Sequence, residues 1–125
     1  MPDSSRTSAG ATYLDREGRI EQLRRAASRA AGRMDVLHRV ILFGSLARGT
    51  PTPRSDADIL VIVESTTHAQ QRDRIPEVLP ALSPLPCPVN LFVLTMEETA
   101  RLRAEGSSFY EMIQATGIDL LPKAA

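Results

Sequence analysis

Apolar positions recur at helical spacing from about Leu14 to Met34, where Ile20, Leu23, Ala27, Ala30 and Met34 form one stripe. Arg19, Arg24, Arg25, Arg29 and Arg33 are distributed around that stripe. The spacing predicts an amphipathic helix whose arginines form a solvated face, within reach of phosphate only if a ligand lies beside it. The pattern then changes period. Val36 to Phe43 is a short apolar-rich run ending at Gly44-Ser45, and Ile59-Leu60-Val61-Ile62-Val63 is β-branched without polar alternation, as expected of a strand covered on both faces. Residues 66–82 read as a helix interrupted at Pro76, because proline lacks the donor for an internal helical bond. Val89 to Leu94 reads as a third strand. Thr95-Met96-Glu97-Glu98 and Ser108-Phe109-Tyr110-Glu111 each place a hydroxyl three residues before a glutamate, so two capping boxes are predicted to open two short helices. Gly117 is expected to end the second, leaving Ile118, Leu120 and Leu121 for a last extended segment. Residues 1–12, rich in Ser, Thr, Ala and Gly, lack this periodicity and are expected to form a mobile tail before a single domain spanning 13–125.

A chain of 125 residues with 42% apolar content is sized for one core. Fifteen basic residues balance fifteen acidic ones, so no global positive field points to nucleic acid and no block of like charge points to a membrane surface. Any anionic ligand must be held locally. The absence of a signal-like leader or long apolar run predicts a cytoplasmic protein. The lone Cys87, flanked by Pro86 and Pro88, has no internal disulfide partner and is expected to be structural. His38 and His68 form no metal-ligand spacing with each other or with Cys87 and are expected to be surface or partly packed residues.

The chemistry is concentrated in Phe43-Gly44-Ser45-Leu46-Ala47-Arg48-Gly49 and Ser55-Asp56-Ala57-Asp58-Ile59-Leu60-Val61, with ten residues between Ser45 and Asp56. A glycine after a strand lets a phosphate approach the backbone, and a helix opening at Ser45 would aim free amide donors at it. Gly49 would let the chain turn away without a Cβ penalty. Asp56 and Asp58, two apart at the entrance to a strand, are expected on one face with Cα atoms roughly 7 Å apart. Two such carboxylates repel when bare and become ligands when a divalent ion and phosphate oxygens are present.

Jointly, a strand, Gly-Ser, a short helix and Asp-x-Asp leading into an apolar strand resemble the signature of the minimal nucleotidyltransferase domains of the DNA polymerase beta superfamily, relatives of kanamycin nucleotidyltransferase. The resemblance extends from about Val36 to Leu94, and the run from Glu97 through Gly117 to Leu121 looks like that group's ending. It implies an α/β (α+β) fold with a small mixed sheet of three to four strands flanked by helices. It also implies that Gly44 and Ser45 hold the triphosphate of a nucleoside triphosphate, with ATP the expected nucleotide, and that Asp56 and Asp58 bind Mg²⁺. Arg48 matches an arginine often found in the family and is equally open to a phosphate contact or a surface salt bridge. The family's third carboxylate, on the next strand, helps hold the catalytic metal and takes the acceptor proton. Its position corresponds here to Asn90, which can offer a carbonyl oxygen but cannot serve as a general base.

Two readings of function follow. In the first, the domain transfers a nucleoside monophosphate to an acceptor hydroxyl with two Mg²⁺ ions, and Asp56, Asp58 and Asn90 form the catalytic set. In the second, Asn90 limits the site to one ion and the domain is a weakly active or inactive nucleotide-binding antitoxin module. The larger relatives that modify antibiotics build their acceptor site from a helical second domain, so here the acceptor pocket is expected from a second copy or a partner. The resemblance implies a small helical protein of the HEPN type, restrained in some cases by adenylylation of a tyrosine.

Overall fold

The structure, a computed structural model, describes residues 8–49 and 56–122, with side chains from Arg16 onward. In chain order the elements are α1 (Ser8–Arg33), β1 (Leu37–Phe43), α2 (Gly44–Arg48), β2 (Ala57–Val63), α3 (Gln71–Leu82), β3 (Val89–Thr95), α4 (Met96–Ala104), α5 (Ser108–Thr116) and β4 (Ile118–Asp119). The expected tail overlaps α1 over residues 8–12, and its first seven residues lie outside the described residues.

The four strands form one mixed sheet in the order β3-β2-β1-β4, with β2 and β3 parallel and the other two pairs antiparallel. Strand parity divides the core in two. Ala57, Ile59, Val61 and Val63 of β2, with Val40, Leu42, Leu91 and Val93, pack against Ile20, Leu23, Ala26, Ala27 and Ala30 of α1 and Val78 and Leu82 of α3. Leu60 and Ile62, with Ile41 and Phe43, face Tyr110 and Ile113 of α5, and Leu102 of α4 packs against them. Helices on both sides explain why β2 carries no polar alternation beyond its first residues.

Three local expectations are corrected. The α3 helix starts at Gln71 and runs unbroken through Pro76 and Pro80. Arg74, Val78 and Leu82 are buried at four-residue spacing, whereas both prolines are exposed on the opposite side. The carbonyls they leave unpaired therefore meet water, and the packed face holds the helix together. At α5 the N-cap is Ser107, which accepts from the Tyr110 amide at 3.2 Å, so the box expected at Ser108 is displaced by one residue and loses its glutamate. The box at α4 forms: Thr95 Oγ1 accepts from the Glu98 amide at 3.1 Å and Glu98 Oε1 accepts from the Thr95 amide at 2.9 Å. Third, the α1 arginines do more than face solvent. Arg29 donates to the Leu82 and Pro84 carbonyls, and Arg33 to those of Ala81 and Ser83, at 3.2 and 3.0 Å. They cap the C-terminal end of α3, where carbonyls lack helical partners and the dipole is negative.

The outer edge of β3 is closed by side chains that no periodicity reveals. The Gln71 amide both donates to the Val93 carbonyl, at 2.6 Å, and accepts from its N–H, at 2.9 Å, replacing a neighbouring strand. Arg74, 4% exposed, donates to the His68 and Val93 carbonyls and to both oxygens of Glu98, at 2.8 and 2.9 Å. Glu98 thus caps α4 and pairs with α3 at once.

Candidate functional site

Register places the site. Phe43, the last residue of β1, lies opposite Asp58 in the antiparallel pair, and Asp58 lies beside Asn90 in the parallel pair. Three adjacent strands therefore deliver the Gly44 turn, a carboxylate and a carboxamide to one end of the sheet, on the α4/α5 side. Asn90 Nδ2 donates to Asp58 Oδ1 at 2.9 Å. Asp58 is half-buried and Asn90 exposed, so the pair opens to water.

Gly44 has φ +79°, a conformation that favours glycine, and a Cβ there would overlap Asp58 Oδ2, with Asp58 Cγ only 3.1 Å away. The strand-to-helix turn and the carboxylate are therefore fitted to each other. Any side chain at position 44 would displace Asp58. The Gly-Ser pair, read in the sequence as room for a phosphate, gives room in the structure to its neighbour's carboxylate.

Asp56 precedes β2 and is half-buried. Between the two aspartates, Ala57 is fully buried in the α1-side core, and its N–H donates to the Pro88 carbonyl at 3.1 Å, which ties the Asp-x-Asp segment to the loop before β3. Ser45 is half-buried in the first turn of α2; Arg48 is exposed in the last, and Gly49 at φ +79° ends the helix. Arg16, absent from the sequence-derived site, anchors the far end of this turn by donating to the Leu46 and Ala47 carbonyls, each at 2.9 Å. Nothing in the sequence distinguished Arg16 from the other arginines of α1, because its partners are backbone atoms some thirty residues away.

The two histidines lie apart from this constellation, whereas Cys87 sits beside the Asp56-Ala57 segment. His68 pairs with Glu77 at 3.2 Å, and His38 is exposed at the opposite end of β1. Cys87 packs against the α1-side core, and burial pushes its thiol above the ordinary value, with nearby Arg19 opposing that shift. The thiol stays protonated at neutral pH, as a structural cysteine does.

The donor set of Asp56, Asp58 and the Asn90 carboxamide can offer oxygen ligands, which suits a hard cation such as Mg²⁺. Among the described residues no three His, Cys, Asp or Glu side chains converge, so such an ion would draw two carboxylates from this chain and its remaining ligands from substrate or water.

The sequence matches the nucleotidyltransferase domain family over residues 20–114, a span that contains Gly44, Ser45, Arg48, Asp56, Asp58 and Asn90. No curated protein sequence matches the chain. Among solved structures, a candidate nucleotidyltransferase from Sulfolobus solfataricus superposes with a TM-score of 0.61 at 22% identity, over 79% of this chain and 85% of that one. At that identity the likeness concerns the fold, a four-stranded mixed sheet flanked by helices. With the family match extending across the strand ends that carry Gly44, Asp58 and Asn90, the chain belongs to the nucleotidyltransferase domain family.

Proposed function

We propose that the domain binds a Mg²⁺–nucleoside triphosphate, with ATP the expected nucleotide, and transfers its nucleoside monophosphate to an acceptor hydroxyl. The observation that carries this reading is the Asp58 carboxylate held between Gly44 and Asn90 at the sheet end, with Asp56 two residues before it. Asp56 and Asp58 would hold the cation, Gly44 and Ser45 would lie along the triphosphate, and Arg48 would reach it from the end of α2. A cation bound there would neutralise phosphate charge and align the α-phosphate for attack. The new bond joins the acceptor oxygen to the α-phosphorus, and pyrophosphate leaves as the bond to the bridging oxygen breaks. Asn90 positions Asp58 and accepts no proton, so the acceptor proton passes to the aspartate pair or to solvent.

The acceptor hydroxyl is assigned to a small helical partner of the HEPN type or to a second copy of the domain. Incubation of the purified domain with α-labelled ATP, Mg²⁺ and host-cell lysate tests the reading: label is expected on one discrete protein or metabolite. Absence of label together with Mg²⁺-dependent nucleotide binding would favour the second reading, a nucleotide-holding antitoxin module. The neutral Asn90 contact to Asp58 is the observation on that side.

Asn90→Asp separates the two. The substitution places a second carboxylate within hydrogen-bond distance of Asp58, adding a metal ligand and a proton acceptor. Transfer is expected to rise at least about tenfold, equivalent to about 1.4 kcal/mol of barrier. Without metal the two carboxylates repel, so the variant's Tm should fall and recover on addition of Mg²⁺. Unchanged transfer with a metal-independent loss of stability would remove Asn90 from the site.

A further inference from the structure

We propose that Phe92 and Phe109 form a platform on which the base of the bound nucleoside triphosphate stacks; this rests on the nucleotide-binding reading above and assigns the part of the site that meets the nucleoside. The chain contains three phenylalanines, and all three meet at one place. Phe43 lies 5.9 Å from Phe92 and 5.8 Å from Phe109 between ring centroids, the latter edge-on at 89°, and Phe92 lies 6.0 Å from Phe109. The distances are those that aromatic pairs favour; Phe92 is tilted 48° to Phe43 and 59° to Phe109, so a flat ring lying face-on to one of the two outer rings meets the other at an angle.

Their position follows from the register that builds the phosphate end. Phe43 immediately precedes Gly44 and faces Asp58 across the strand pair. Phe92 stands two residues beyond Asn90, on the same face of β3, so its Cα lies about 7 Å from that of Asn90. Phe109 descends onto both from the first turn of α5. The aromatic surface thus starts beside the carboxylate and leads away from it, as the nucleoside of a triphosphate held at Asp58 must.

Exposure distinguishes the three rings. Phe43 is 5% exposed and supports the cluster, whereas Phe92 and Phe109 are 39% and 37% exposed. Tyr110, the neighbour of Phe109, is 1% exposed and belongs to the core, so only one of the two adjacent aromatics is presented. The open surface of Phe92 and Phe109 together is about 150 Å², taking each side chain at its full area. A stable protein interface needs about 800 Å² per partner. The patch is too small to carry a protein partner by itself and is suited to one flat heteroaromatic ring, for which stacking is the sequence-tolerant mode of recognition.

The test compares ATP with inorganic tripolyphosphate, which has the phosphates and lacks the base, each titrated calorimetrically with Mg²⁺ into the full chain. Phe92→Ala is expected to weaken ATP binding by about tenfold, as is Phe109→Ala, while leaving tripolyphosphate binding unchanged. Phe92→Leu retains apolar volume in the cluster and loses the aromatic face, so it should weaken ATP binding similarly with little change in Tm; Phe92→Trp should retain it. If Phe92→Leu leaves ATP affinity unchanged, or weakens both ligands equally, the platform is overturned and the nucleotide reading stands. If the wild-type protein binds neither ligand with Mg²⁺, both readings fall.

Discussion

Asp58→Ala is expected to erase the stabilisation that ATP and Mg²⁺ together confer on the domain, while leaving the unliganded protein folded. At a ligand concentration a hundredfold above Kd the linkage contribution is about 2.7 kcal/mol, a rise of about 10 °C in Tm for a domain of this size. Asp58 supplies the carboxylate that lies against Gly44, so its removal takes away the proposed metal ligand and the group around which the turn is shaped. The cost to the empty fold is small. Asp58 is only half-buried, and Asn90, which donates to it, is exposed and can bond to water instead. Thermal melts with and without ligand, in Mg²⁺ and in excess chelator, measure both quantities. A variant that unfolds without ligand would make Asp58 structural, and wild-type stabilisation that persists in chelator would remove the metal from the site.

The second large effect is on stability alone: Arg74→Ala should cost about 3 kcal/mol, the low end for breaking a buried ion pair because the Glu98 left behind is partly exposed to water. Side-chain exposure is 5% for Arg74 and 29% for Glu98. The arginine also serves the His68 and Val93 carbonyls, which lose their donor with it. The hydrogen bond to Arg74, aided by those from Thr95 and opposed by burial, holds the Glu98 carboxyl below the usual carboxylate range. A depressed folded-state pKa stabilises the fold above the unfolded value of about 4.3 and loses that contribution as pH falls through the folded value. The wild-type advantage over Arg74→Ala should thus be full near pH 7 and shrink on acidification below about pH 4. Urea denaturation of both proteins at the two pH values measures the difference, and a loss below about 1 kcal/mol at pH 7 would reduce the pair to a surface contact.

Much of the architecture was legible because its signals are local. A β-branched run such as Ile59–Val63 declares a buried strand through backbone and side-chain preference within a few residues, and the Thr95–Glu98 box declares a helix start through bonds that span three. The prolines of α3 misled for the same reason: locally they argue against a helix, and only the packing of Arg74, Val78 and Leu82 on the other side overrides them. The cap at α5 differed by one residue because Ser107 and Ser108 offer the same hydroxyl, and the path of the turn selects between them.

By itself the sequence determined the elements, the family signature and the residue types available for chemistry: a Gly-Ser turn, two aspartates at pleat spacing and an asparagine on a later strand. Which of these meet was decided by strand register. Pairing of Phe43 with Asp58 and of Asp58 with Asn90 brings the turn, the carboxylate and the carboxamide to one sheet end. The tertiary structure alone also recruited Arg16, Arg29, Arg33, Gln71 and Arg74, whose partners are mostly backbone atoms and acceptors many residues away. Every segment presents the same backbone carbonyl to a guanidinium, so no residue type marks the one it will meet. That choice arises only when packing of the core sets which helix end lies beside which side chain.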